Sequence, residues 1–400
     1  MTGGPASSPA PAARTRNPDA RPVRRMVPRS RDEPHRAATP LELFFDLCFV
    51  VAVAQAGREL AHDLAAGHFK VALVGYLFAF FAVWWAWMNF TWFASAYDCD
   101  DVPYRITTLV QITGVLILAA GVPRLFADQD LALAVTGYVV MRLAMVTQWL
   151  RAARSEQGAA RTVALRYAAG ITLVQIGWVL ALQLPPDTRP YVIPLGILAE
   201  LAVPAVAELR TRTSWHPHHI AERYGLFTLI VLGETVAAAT VAVQSAVDEH
   251  EALGELIPIA VGGLLLCFAA WWIYFARSVH DHLRSNRQAF LWGYGHYLVL
   301  ASAAAIGAGL EVAVEHAVGR AHVSAVTATA AVTVPSALYL LTVWLLHSRH
   351  TKSGAAQAVL PTASAAVLAC TALGTSGVLA AGLVAAAAVA VGVALHAREG

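Results

Sequence analysis

The sequence predicts an all-α, polytopic integral membrane protein of about 12 transmembrane helices, built as two parallel six-helix repeats. Three observations carry this. Of 400 residues, 58% are hydrophobic and only 14% charged, against roughly 25% charged in a soluble domain. The apolar residues lie in runs of about 20, the length that crosses a bilayer, and do not alternate as strands do. A segment opening at Glu42 is echoed by one opening at Glu222. The net charge of +2 says little until its distribution is followed.

Residues 1–38 hold Arg14, Arg16, Arg21, Arg24, Arg25, Arg29, Arg31 and Arg36 among Pro, Ala and Ser. They contain no apolar core of a signal peptide. They read as a disordered basic cytoplasmic tail suited to anionic inner-leaflet lipid, with nucleic acid the weaker alternative. The spans follow at 41–58, 71–96, 104–123, 131–150, 163–184 and 190–209, then at 222–245, 256–277, 288–310, 322–346, 355–373 and 376–396. The last two are rich in Ala and Gly and form the weakest hairpin. Residues 39–209 make the first half, 210–221 a His-containing cytoplasmic linker and 222–400 the second half.

Basic residues follow the even spans: Arg151, Arg154 and Arg161; Arg210 and Arg212; Arg277, Arg284 and Arg287; Arg349 and Lys352. The odd loops are poorer in them or acidic, as in "VDEHEALGE". Only "YDCDDVPYR", after the second span, departs from this. The positive-inside rule then puts both termini on the cytoplasmic side of the plasma membrane. The duplication rests on near-constant spacing. "ELFFDLCFVVAVAQ" and "ERYGLFTLIVLGET" start 180 residues apart, while Trp92 to Tyr274 and Arg105 to Arg287 are 182 apart.

The first span begins Thr-Pro-Leu-Glu, which predicts a capping box with Thr39 as N-cap, Pro40 at N1 and Glu42 at N3. Asp46 lies one turn deeper on the same face, roughly 10 Å into the helix. A carboxylate there costs about 3 kcal/mol on insertion, so it is either half of an ion pair or part of a functional site. Measured from the cytoplasmic end of each span, Gln111 is about 9 Å deep, Asn89 10 Å, Arg142 and His296 12 Å, and Glu200 14 Å. Glu234 and Gln175 lie at about 18 and 20 Å. This predicts a polar vestibule near the cytoplasm, closed outward by apolar packing. Arg142 matches Asp46 in depth and is its expected partner, with Arg105 and Arg223 as alternatives nearer the surface.

"WWAWMNFTWF" (84–93) and "WWIYF" (271–275) are an aromatic belt or a wall of that vestibule. Pro194, Pro204 and Pro335 fall inside spans, where they kink helices or free carbonyls toward a cavity. The four cysteines are scattered and read as packing residues. "WHPHHIAER" (215–223) is a solvated loop before it is a metal site, and no metal or cofactor is expected. No HExxH, nucleotide-binding loop or GxSxG occurs, and no nucleophile–base pair suggests an enzyme.

"TPLELFFDLCFVVAVAQ" (39–55), "WWAWMNFTWFASAYDCDDVPYR" (84–105) and "HIAERYGLFTLIVLGET" (219–235) resemble the bacterial low temperature requirement protein A family. The likeness covers most of residues 39–310. It implies a role in growth at low temperature and leaves the activity open. Glu42, Phe45, Asp46, Asp101, Arg105, Glu222, Arg223 and Glu234 fall in its motifs. Phe45-Asp46 is also faintly similar to the Phe-Ser-Asp opening of a potassium channel family with six-helix repeats. The repeats and intramembrane carboxylates lead to a secondary transporter or ion-conducting protein acting on a small ion or solute, with Asp46 or Glu234 carrying the ion. The alternative is a non-transporting sensor or assembly protein.

Overall fold

The computed structural model describes residues 23–30, 37–248, 253–276, 283, 286–349 and 354–399. Among these there is helix and no strand. The helices are α1 (Pro40–Ala65), α2 (Phe69–Tyr97), α3 (Val102–Asp128), α4 (Ala132–Ser155), α5 (Gly158–Ala181) and α6 (Arg189–Ala207). They continue as α7 (Pro217–Asp248), α8 (Leu253–Phe275), α9 (Asn286–Ala317), α10 (Ala325–Val343), α11 (Val359–Ala369) and α12 (Gly377–Glu399). Ten stretches among the described residues are long and apolar enough to cross a membrane, and the last, Val359–Ala397, takes in both α11 and α12.

Local chemistry sets the helix starts. Thr39 and Glu42 exchange the two bonds of a capping box: the Glu42 amide donates to Thr39 Oγ1 at 3.3 Å, and the Thr39 amide donates to the Glu42 carboxylate at 2.8 Å. Asp101 caps α3 by accepting from the Tyr104 amide at 3.0 Å, and Ser324 caps α10. Pro217 opens α7 from its first turn, where a missing amide hydrogen costs nothing. Residues 217–221, read as linker from the sequence, are therefore helical.

Successive helices run in opposite directions, so α1, α3, α5, α7, α9 and α11 begin at one end. We call this end proximal and the other distal. The Ala38 amide reaches Glu222, the Arg151 side chain Asp101 and the His216 amide Ser95 at the proximal end. At the distal end the His322 amide donates to the Ala65 carbonyl at 2.7 Å.

Small residues let the helices approach closely. A side chain on Gly137 of α4 would strike the backbone of Gly114 and Leu118 in α3. One on Gly309 of α9 would strike Ala331 of α10. The neighbour order is shared by the halves: α1 packs on α3 and α3 on α4, as α7 packs on α9 and α9 on α10. The docking between halves is not two-fold. Helices α1 and α2 both pack on α7 and α9, yet α3 has no comparable packing on α7 or α8. Likewise α12 lies along α8, while α6 is seated chiefly on α5.

Three expectations are corrected here. Residues 23–30 are not a loose part of the tail: they cross the proximal end without helix or strand, with Met26 fully buried. Helix α1 continues to Ala65 rather than 58, and α9 to Ala317 rather than 310, which brings Glu59, His62 and Asp63 into α1 and Glu311 and Glu315 into α9. Arg14, Arg16, Arg21, Arg31, Arg36, Arg277, Arg284 and Lys352 lie outside the described residues.

Candidate functional site

Polar side chains gather in four places, and helix geometry explains each. On α1, Glu42 and Asp46 are four residues apart and so share a face. That face is turned to α7, which starts at the same end and carries His219 and Arg223 four residues apart on its first turns. Arg223 is held by both carboxylates. Its Nη2 and Nε donate to the two oxygens of Asp46 at 2.5 and 3.2 Å, and its Nη1 lies 3.0 Å from Glu42. His219 Nε2 sits 3.2 Å from Glu42, and Trp87 of α2 donates to Asp46 at 2.7 Å. Glu42, Asp46, His219 and Arg223 are all wholly buried. Phe45 stacks on Phe90, and Trp87 on Phe227, around the charges. Asp46 is thus paired with Arg223 and not with Arg142. Depth along separate helices does not decide adjacency; α1 meets α7 here, whereas α4 lies behind α3.

Arg142 serves a second cluster inside the first half. Glu200 of α6 accepts from Arg142 at 2.8 Å, Trp85 at 3.0 Å, Gln175 at 2.9 Å and Trp178 at 3.4 Å. These donors come from α4, α2 and α5 and fasten α6, most of whose surface is exposed, through one wholly buried carboxylate. Arg142 Nε and Nη1 and the Gln175 carbonyl have no protein partner, so this core keeps spare hydrogen-bonding capacity.

A third cluster occupies the second half. His296 of α9 donates from Nδ1 to the Trp292 carbonyl at 2.8 Å, which leaves Nε2 as the acceptor for Tyr274 at 3.0 Å. His347, on a π-helical turn at Trp344–Ser348, approaches the same nitrogen at 3.4 Å.

The fourth place is a cavity of about 260 Å³ in the distal half, between α1, α7 and α9. Its inner wall is small: Gly57, Ala237, Ala238, Ala304, Gly307 and Ala308. Glu234, Glu311 and Glu315 supply carboxylates, with Arg58 and Arg320 beside them. Among the described residues, the charges expected to line a proximal vestibule, Glu42, Asp46 and Arg223, are paired with one another across the α1–α7 contact. The cavity lies toward the opposite end, among small residues of α1, α7 and α9.

The other predicted residues are placed as follows. Asn89 donates to the Trp85 carbonyl of its own helix at 2.8 Å. Gln111 is buried in α3, and its amide nitrogen has no partner. Arg105 belongs to no buried site; it forms an exposed pair with Asp100 at 2.7 Å. Glu222 accepts from the Ala38 amide at 3.3 Å. Asp101 is a fastening point: burial favours its neutral form, but the Arg151 guanidinium and the amides of Arg24 and Tyr104 win and hold its carboxyl below the usual range.

Comparison with known proteins agrees with the sequence motifs. Residues 37–396 match the family described as Bacterial low temperature requirement A protein (LtrA). An uncharacterized protein of Rhizobium meliloti (strain 1021) is 28% identical over 279 residues, which cover 64% of this chain and 64% of the relative. The match therefore spans about two thirds of the length of that relative.

Proposed function

The chain belongs to the bacterial low temperature requirement A protein (LtrA) family, and on that premise we propose that this multi-pass membrane protein is a secondary transporter or ion-conducting protein. The observation that carries this reading is the distal cavity between the two halves. Charged groups at membrane depth are costly unless they are paired or meet water. Glu234, Glu311 and Glu315 line a space large enough for a small solute, and the space lies at the junction where one half can move against the other. Below it, the pairing of Asp46 with Arg223 joins α1 to α7 toward the proximal end. With the proximal end cytoplasmic, as the positive-inside rule places it, the cavity faces outward, opposite to the direction read from depth alone. The excess of carboxylates over arginines favours a cation, and no enzymatic step is part of this reading.

The test is flux in proteoliposomes, with radioactive sodium, radioactive rubidium and a pH-sensitive dye as probes. Uptake of one of them, lost in Glu311→Gln, is expected. Folded protein that moves none of the three argues for the non-transporting role in low-temperature growth.

A further inference from the structure

The segment at residues 23–30 makes a set of contacts that a passive tail does not need. The Arg24 amide donates to Asp101 at 2.7 Å, and Arg151 both pairs with Asp101 and donates to the Arg24 carbonyl at 3.0 Å. One step on, the Met26 amide donates to Ser155 Oγ, and Arg25 to the Ser155 carbonyl, each at 3.2 Å. The Arg29 amide then donates to the Ala96 carbonyl at 2.9 Å, and its side chain lies 3.8 Å from Asp98. The segment therefore bridges the α2–α3 turn at 98–101 and the end of α4 at Arg151 and Ser155, along with the end of α2 at Ala96.

Its hold is selective. Met26 is wholly buried, whereas Val23 and Val27 are 61% and 58% exposed. The segment has no helix or strand of its own, so a single apolar anchor and a few hydrogen bonds oppose the full backbone freedom of the chain. A contact of that kind opens locally, well before the bundle unfolds.

We propose that residues 23–30 are a releasable strap that holds the proximal end of the first half shut, with Met26 as the plug and Asp101 as the clasp. The strap acts on helix ends and not on the solute cavity. It stands whether or not solute crosses, and in the transport reading it is the closure that must lift for the proximal end to open. Asp101 suits the clasp because it already caps α3: the same carboxylate that starts that helix receives the strap, so α3, α4 and the strap move as one or separate together.

Cys99 gives a direct readout. Its sulfur lies 3.6 Å from Asp101, and the residue is half-buried. In full-length protein with Cys48, Cys267 and Cys370 replaced by alanine, a charged thiol reagent should label Cys99 slowly. Met26→Asp should raise the rate by about tenfold, while Met26→Leu and the exposed Val27→Asp leave it unchanged. Size-exclusion and thermal unfolding confirm that each variant is folded. A second probe, Ser95→Cys in a cysteine-free chain, tests the closure, because Ser95 is fully buried at the end of α2. It should react only when Met26→Asp is also present. If Met26→Asp labels no faster than Val27→Asp, the strap is overturned. If Cys99 is exposed but the cysteine at 95 stays protected, the segment is an ornament and not a closure. Neither result depends on finding a transported ion.

Discussion

The two ends of the α1–α7–α9 trio solve one problem in opposite ways. At the proximal end, charges sit at complete burial and are paired, with two carboxylates against one guanidinium. At the distal end, carboxylates of the same helices remain half-buried around open space. Side-chain size accounts for the difference. Phe45, Phe49, Trp87 and Phe227 fill the proximal end, while the distal wall is alanine and glycine. Where large rings exclude water, a charge must find a countercharge within the protein. Where small residues leave a gap, water or a solute takes that role.

The largest test of this contrast is Asp46→Asn. It leaves Arg223 in a dry site with one carboxylate instead of two, and breaking such a pair costs about 3–5 kcal/mol. Folded yield and thermal stability should fall, and adding Arg223→Met should recover part of the loss. Combining Asp46→Asn with Arg142→Met should instead be additive, since the two belong to separate clusters. Recovery by Arg142→Met would mean that the partners have been misassigned.

Asp101→Asn keeps a capping oxygen for α3 and removes the charge that pairs with Arg151, so its effect should be intermediate, about 1 kcal/mol. Its sign with pH follows from the lowered carboxyl. The native state favours the ionised form, so the contribution is present above about pH 4, the unfolded range, and disappears as pH falls through the native value. Thermal melts should show the wild type losing this increment on acidification, while Asp101→Asn lacks that part of the profile.

Glu311→Gln and Glu234→Gln, at the cavity, should change stability by less than about 0.5 kcal/mol, because both side chains are only partly buried and Gln is nearly isosteric. Their effect should fall on flux. A large loss of stability in either would move the cavity into the same class as the proximal cluster. Arg105→Ala, at an exposed pair, should leave melting and flux unchanged and marks the floor of the series.

Much of this was legible in the sequence for local reasons. The capping box, the placement of most helices and the need for Asp46 to have a partner all follow from spacing and solvation energy. The partner, Arg223, was legible only as an alternative to Arg142, because the choice depends on α7 lying against α1, a fact that arises only when the halves dock. Glu311 and Glu315 were missed because the span was ended at 310. A signal was present: Ala304, Gly307, Ala308, Glu311 and Glu315 continue one helical stripe, which a charge-averse count of span length cuts short. Residues 23–30 were misread because composition gives no weight to a single methionine in a basic segment.

The separation of Asp46 from Arg223 in the chain, 177 residues, also has a consequence in time. At bacterial synthesis rates of roughly 5–20 residues per second, α1 waits some 9–35 s for its cation. Arg142 waits much less for Glu200, which follows it by 58 residues in the same half. The first half can therefore assemble its own interior while it is being made, yet α1 must hold an unmatched aspartate at the lipid boundary until the ribosome has passed α7. The gene order of the two halves thus makes the second a clasp for the first, and a nascent chain stalled before residue 223 should leave α1 as its least settled helix.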